Sequence, residues 1–366
     1  MKVLLLAGEE SGVLYANQIR AEILRRCPDA EIRGYGDYGF RTEDLAVMGF
    51  GQVLKRIFYF LGVKKTMERA IDDWRPDVVC TVDYPGLNLK LAAYAKARGV
   101  RAVHVVCPQV WAWKKGRIPK IEAALDRLCC FFPFEPKLFR DGFATFVGHP
   151  LVDEFEEVER VEKVLAILPG SRMGEIEKHM PVLLEVVKGL QKALCSRDSG
   201  FEIVIPAANE RTCRAIARAI EQSEQSNSRT ISLQLGGARE LLRRADAAVV
   251  ASGTATLEAA LAGCPTVLVY RVGRLLAAFL RLVIRGVRHV GLANIIAEKA
   301  GVPCPMPELL QDDFTAENVL AHLGPWLTDQ AANAASRLSL AETMKLLKSD
   351  GGAIGRIAGE VLADCT

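Results

Sequence analysis

The sequence predicts an α/β protein of two domains, each a parallel sheet covered by helices. Three observations lead there. Short runs rich in Val, Leu and Ile alternate with longer amphipathic stretches, the pattern of strands buried on both faces between crossover helices. At 366 residues the chain is about two to three times the usual domain length, which calls for two cores. The acidic stretch Asp153-Glu154-Phe155-Glu156-Glu157-Val158-Glu159-Arg160 separates two series of such runs. The predicted domains are residues 1–155 and 156–340, two similar α/β halves, with 341–366 read as a helix packing back on the first.

In the first series the expected strands are Val3–Leu6, Val78–Val82, Ala102–Val106, Leu128–Phe132 and Thr145–Val147. The opening apolar run is too short for a secretory leader, and Glu9-Glu10 follow it at once, so it reads as a buried strand. Leu14, Ile19, Ile23 and Leu24 lie near helical spacing after it, with Arg25-Arg26 at the basic end of that helix. In the second series the strands are Val164–Leu168, Glu202–Ile205, Ser232–Leu235, Ala247–Val250 and Thr266–Val269. Glu221 to Arg229 reads as a polar surface loop.

Composition narrows the partners. Forty-seven basic against forty-four acidic residues leave a net charge of +3, too balanced for a nucleic-acid binder. The ten cysteines form no CxxC and no His-Cys cluster, so neither a metal site nor a disulfide framework is expected. Cys80, Cys129 and Cys130 sit in strand-like runs as small hydrophobes, which suits a reducing cytosol. No run of about 18 apolar residues exists to span a bilayer, because Leu275–Val290 is broken by Arg281, Arg285 and Arg288.

In open α/β sheets ligands bind beyond the carboxyl ends of strands, and four such loops stand out. Gly8-Glu9-Glu10-Ser11-Gly12 joins the first strand to its helix; it is no GxGxxG, and a tight turn capped by Ser11 would look the same. Asp83 in Val82-Asp83-Tyr84-Pro85-Gly86-Leu87-Asn88 stands at a strand mouth, placed for a general base or for a helix cap. Arg172 in Leu168-Pro169-Gly170-Ser171-Arg172 offers a fork to phosphate, or pairs with Glu175 or Glu177 on the surface. Ala251-Ser252-Gly253-Thr254-Ala255-Thr256-Leu257-Glu258 bares the first amides of a short helix, a seat for pyrophosphate, with Glu258 one turn further in for ribose hydroxyls. There is no P-loop, no G-x-S-x-G elbow and no Asp-x-Asp pair to hold a nucleotide-bound cation.

With these residues the chain resembles the lipid-A-disaccharide synthase family, inverting glycosyltransferases of the GT-B fold. The likeness runs over roughly residues 3–311: AGEESG at 7–12, LAVMGF at 45–50, PDVVCTVDYPGLN at 76–88, CPQVWAWKKGRIPKI at 107–121, FPFEP at 132–136 and FVGHPLVD at 146–153. It continues through LPGSRMGEI at 168–176, ADAAVVASGTATLEAAL at 245–261, PTVLVYR at 265–271, LANIIAE at 292–298 and PELLQ at 307–311.

The resemblance implies two Rossmann-like domains facing a cleft, and transfer of diacylglucosamine from UDP to a monosaccharide phosphate lipid. It implies Asp83 as the base and Gly170, Ser171, Arg172, Ser252, Gly253, Thr254, Glu258 and Asn294 as donor contacts. Glu9, Ser11, Gly12 and Asn88 are its acceptor contacts. The chain departs from the family pattern at Val13 and at Gly86, where acidic residues are usual. On the residues alone, a UDP-sugar epimerase of the same fold and a binding relative without turnover stay open.

A lipid substrate implies a membrane surface. Val53, Leu54, Ile57, Phe58, Phe60 and Leu61, rimmed by Lys55, Arg56, Lys64 and Lys65, have the composition of an interfacial or acyl-gripping segment, or of an ordinary core helix. Leu275–Val290 is a second candidate, and Trp111 and Trp113 fit either an interface or a core. The expected location is cytoplasmic, peripheral to the inner membrane. No cofactor, metal or nucleic acid is expected, and a homodimer is left open.

Overall fold

The computed structural model describes residues 1–8, 10–40, 53–112, 115–155, 163–194, 202–223, 231–273 and 288–363, with side chains described for all of these except 10, 11, 53–58, 193 and 194. Two compact units emerge: Met1–Asp153 together with Leu347–Thr366, and Glu154–Leu346.

The first unit runs β1 (Lys2–Ala7), α1 (Glu10–Arg26), β2 (Glu31–Arg33), α2 (Val53–Trp74), β3 (Val78–Val82), α3 (Pro85–Lys96), β4 (Arg101–Val105), α4 (Ile118–Ala124), β5 (Arg127–Cys130), β6 (Ala144–Phe146) and α5 (Pro150–Glu154). Its sheet is parallel, in the order β2-β1-β3-β4-β5-β6. Side-chain alternation decides what covers each face. Val3, Leu5, Val78, Cys80, Val103 and Cys129 meet Ile19 and Ile23 of α1 on one face. Leu4, Leu6 and Val79 meet Val63, Met67 and Ile71 of α2 and Leu91 of α3 on the other.

The second unit runs β7 (Val164–Leu168), α6 (Met173–Leu194), β8 (Glu202–Ala207), α7 (Glu210–Glu221), β9 (Ile231–Leu235), α8 (Ala238–Arg244), β10 (Ala247–Ala251), α9 (Thr254–Leu261), β11 (Thr266–Tyr270), α10 (Leu292–Ala300), β12 (Glu308–Leu310), α11 (Ala316–Thr328) and α12 (Gln330–Lys345). This sheet is also parallel, in the order β12-β11-β10-β7-β8-β9. Its core gathers strand residues such as Ile167 and Val249 with Met180, Leu183 and Val187 of α6 and Phe314.

All ten expected strands are present, with ends shifted by a residue or two. β4 stops at Val105 because Val106 turns left-handed, at φ 77°. β2 and β12 are additional: three-residue edge strands, too short to show a period. The last helix, α13 (Ala353–Leu362), packs on the first unit, with Ile357, Ala358 and Val361 in the α1-side core. Arg127 meets Glu360 at 3.2 Å, and the Ala353 amide donates to Asp153 at 2.8 Å. The chain returns to this unit only after α12, which stays with the second unit. There Asn333 and Arg337 donate to the carbonyl of Asp246, so the return falls after residue 340.

Candidate functional site

Each sheet reverses its strand order once: between β1 and β3 in the first unit, between β7 and β10 in the second. Such switch points open a crevice at the carboxyl ends of the two diverging strands. All four loops singled out above stand there.

In the first unit Ala7 of β1 pairs with Val82 of β3, so the loops after them emerge side by side. A Cβ on Gly12 would lie 3.7 Å from that of Asp83, and one on Gly8 only 2.6 Å from the Tyr84 ring. Gly8 is therefore obligatory and Gly12 a close neighbour of Asp83. Asp83 and Tyr84 are both left-handed, each at φ 50°; two such non-glycine residues cost about 1–3 kcal/mol apiece and persist only where the surroundings dictate them. Asp83 is half-buried, and its Oδ1 accepts the Tyr84 amide at 2.8 Å. Burial raises its pKa above the usual carboxylate value, opposed by that amide.

Asn88 is placed differently from the acceptor contact the resemblance implies. It is fully buried, with Nδ2 on the carbonyls of Asp83 at 2.8 Å, Val82 at 3.1 Å and Leu6 at 3.3 Å, and Oδ1 accepting from the Tyr35 hydroxyl at 2.8 Å. Its polar atoms are used inside the protein. Glu9 and the side chain of Ser11 lie outside the described residues. Val13 packs against the apolar core, and Gly86 is exposed with nothing near its Cβ position.

In the second unit a cavity of about 390 Å³ is bounded by Gly170, Ser171 and Arg172 after β7 and by Ser252, Gly253 and Thr254 after β10. Gly170, at φ 115°, has no room for a side chain: a Cβ would stand 2.9 Å from that of Glu175. Glu175 fills the turn, its Oε2 accepting the amides of Ser171 and Arg172 at 3.1 and 3.2 Å. Those two amides are thus already taken. Gly253 caps α9 with no side-chain bond, so no capping side chain takes the first amides of that helix, which can accept an anion.

Arg172 pairs with Glu175 at 3.0 Å, yet its side chain is 79% exposed. An exposed pair is worth about 0–1 kcal/mol, against about 1.5–3 kcal/mol for a hydrogen bond to a charged group. A phosphate would win the guanidinium. Glu258, on α9, accepts from Arg239 of α8 at 3.3 Å, and Arg239 also meets Glu154 at 3.0 Å. Glu258 is not among the residues that bound the cavity, and neither is Asn294. Asn294 is buried in α10, donating to the Met306 carbonyl at 2.7 Å and to Glu308 at 2.9 Å and accepting the Met306 amide at 3.1 Å.

Sequence reading missed His179. Its Nδ1 donates to the Pro169 carbonyl at 2.7 Å and its Nε2 accepts the Arg271 amide at 3.0 Å, tying the loop after β7 to the end of β11. Only the neutral ring does both, and burial lowers its pKa accordingly. A lone histidine on a helix carries no sequence signal for this. Tyr35 and Arg239 were missed for the same reason.

Trp111 is core, its indole donating to buried Glu135 at 3.1 Å; Trp113 lies outside the described residues. Cys107, Cys130 and Glu135 form the one metal-type group among the described residues. Both Glu135 oxygens already accept N–H bonds, from Trp111 and Phe132, and burial lifts its pKa to about 8, so the group reads as core. The side chains of Val53, Leu54, Ile57 and Phe58 lie outside the described residues, as do residues 274–287. Phe60 is half-buried against Tyr59 and Tyr84, at ring separations of 5.7 and 6.2 Å; Leu61 is 55% exposed. Among the described residues no helix is long and apolar enough to cross a membrane.

A family model described as lipid-A-disaccharide synthetase matches residues 3–350. The lipid-A-disaccharide synthase of Geobacter metallireducens is 34% identical, over 99% of this chain and 96% of its own. That of Neisseria meningitidis is 36% identical, over 94% and 93%. Among solved structures, the UDP-GlcNAc 2-epimerase of Methanocaldococcus jannaschii aligns with a TM-score of 0.60 at 14% identity, over 98% of this chain and 99% of its own. At that identity the likeness is one of fold, and it does not favour an epimerase. Sequence likeness extends through both units and all four strand-end loops, and the chain belongs to the lipid-A-disaccharide synthase family, a glycosyltransferase on the GT-B fold.

Proposed function

We propose that this chain transfers 2,3-diacylglucosamine from UDP-2,3-diacylglucosamine to 2,3-diacylglucosamine 1-phosphate, giving the β-1,6-linked disaccharide 1-phosphate and UDP. One observation carries the assignment of residues: Asp83 stands at the switch point of one sheet, and Arg172 with the 252–254 amides at that of the other. In this reading the first unit takes the acceptor and the second the nucleotide. The acceptor hydroxyl oxygen attacks the anomeric carbon while Asp83 takes its proton. The bond from that carbon to the diphosphate breaks, and the charge left on UDP falls to Arg172 and the first amides of α9. Glu258 holds the ribose. Asn294 acts from behind, fixing the start of α10 to Glu308 and the carbonyl of Met306. Incubating the protein with both lipids and following disaccharide and UDP tests the reading; UDP release without disaccharide would overturn it.

The membrane is part of the same proposal. Leu61 and Lys65 are exposed on α2, an apolar and a basic residue of the kind that docks on an anionic bilayer of the inner membrane's cytoplasmic face. Phe60 belongs to the packing around Tyr84. Each basic residue near such a surface is worth about 1 kcal/mol, roughly fivefold in binding. Lys65→Glu should therefore weaken co-sedimentation with anionic vesicles by at least that factor, and Leu61→Ser should weaken it further, with UDP affinity unchanged. Undiminished sedimentation of the folded double variant would move the docking surface elsewhere.

A further inference from the structure

We infer that Tyr35 and Asn88 are positioning residues that hold the Asp83 carboxylate in its working orientation through a single peptide group. The inference rests on the reading of Asp83 as the base.

The peptide between Asp83 and Tyr84 is held at both ends. Its N–H donates to Asp83 Oδ1 at 2.8 Å, so the plane of this peptide sets the direction of the carboxylate. Its C=O accepts from Asn88 Nδ2 at 2.8 Å. Rotating that plane would break both bonds together. Both flanking residues are left-handed, a conformation that the chain does not hold unaided.

Asn88 suits the task because an amide has two faces of opposite character. Its NH₂ meets three carbonyls, those of Leu6, Val82 and Asp83, which end β1 and β3 and begin the loop. Its oxygen accepts the Tyr35 hydroxyl at 2.8 Å, which fixes the amide against a flip. Tyr35 is 5% exposed and Asn88 fully buried, so water cannot replace either bond. Burial also raises the Tyr35 pKa, which keeps the hydroxyl a donor across the working range. Neither side chain reaches the crevice. Both act through Asp83.

The test is a double-mutant cycle. Tyr35→Phe removes one oxygen; Asn88→Leu keeps the volume and removes every donor. Asn88→Leu should lower kcat about 10- to 100-fold, a share of the about 10²–10⁴-fold that a general base contributes, with KM for the donor and UDP affinity within about twofold. Tyr35→Phe should lower kcat less, in the same pattern. In an Asp83→Asn background neither change should lower the residual rate further. Asp83 should also titrate nearer the ordinary carboxylate range in Tyr35→Phe, followed by carboxyl NMR, because a freed side chain gains water.

Effects that multiply with Asp83→Asn, or an Asp83 titration unmoved in the folded Tyr35→Phe protein, would overturn the inference. If Asn88→Leu fails to fold, Tyr35→Phe carries the same comparison. If Asp83→Asn keeps near-normal turnover, the base reading fails by itself. A shifted Asp83 titration would then still support the positioning role, and an unmoved one would remove that too.

Discussion

Asp83→Asn is expected to lower transfer by about 10²–10⁴-fold, the usual contribution of a general base, while UDP affinity stays within about twofold. The amide keeps the bond from the Tyr84 N–H but cannot take a proton. UDP binding is spared because the seat proposed for it is built from residues of the second unit. Since burial raises the Asp83 pKa and only the ionised form accepts a proton, the parent's rate should fall as pH drops through that raised value. Its acid limb should therefore lie above the range of a free carboxylate, about 3.9. Stability should move the other way. A carboxylate bound more tightly to its proton in the folded state penalises folding once it ionises, so the variant should melt no lower than the parent near neutral pH. Turnover near the parent's in the folded variant would take Asp83 out of the mechanism.

Arg172→Ala and Glu258→Ala should both weaken UDP binding, through different parts of the ligand. Loss of a charged hydrogen bond costs about 1.5–3 kcal/mol, or roughly 10- to 100-fold in Kd. Arg172→Ala should show this for UDP and hardly at all for uridine, because phosphate is the partner proposed for the exposed guanidinium. Its present bond to Glu175 is too exposed to offset the loss. Glu258→Ala should cost both ligands alike, since ribose is common to them. Calorimetry with the two ligands separates the cases. An equal effect of Arg172→Ala on uridine and UDP would make Arg172 a structural residue of the turn that Glu175 fills.

Composition marks these loops out along the chain, but it does not show their internal bonding. Pro169-Gly170 and Ser252-Gly253-Thr254 announce themselves by composition, because only small residues allow a ligand or a neighbouring backbone so close. Asn88 and Asn294 were visible too, as residues of matched motifs, but what they do was not. Whether an asparagine faces a ligand or three carbonyls depends on which strands end beside it, and those strands come from distant parts of the chain. The Leu6 carbonyl lies 82 residues from Asn88 in sequence. His179 and Tyr35 carried no signal at all, being polar side chains on helical segments whose partners are likewise remote.

Taken by itself, the order of residues determined two parallel sheets, their ten main strands and the strand-end loops that form the candidate site. Those depend on local apolar runs and on turn residues, which act over a few positions. Only the tertiary structure decided that these loops meet in pairs, because switch points follow from strand order, and strand order is a matter of long-range pairing. It also decided that Phe60 packs inward while Leu61 faces out: adjacent helical residues are separated by about 100°, and which of them meets the core depends on what the helix lies against. The left-handed pair at Asp83 and Tyr84 is the clearest case. Neither residue prefers that conformation; Asn88 bonds the Val82 and Asp83 carbonyls beside it, and Gly8 leaves room for the Tyr84 ring.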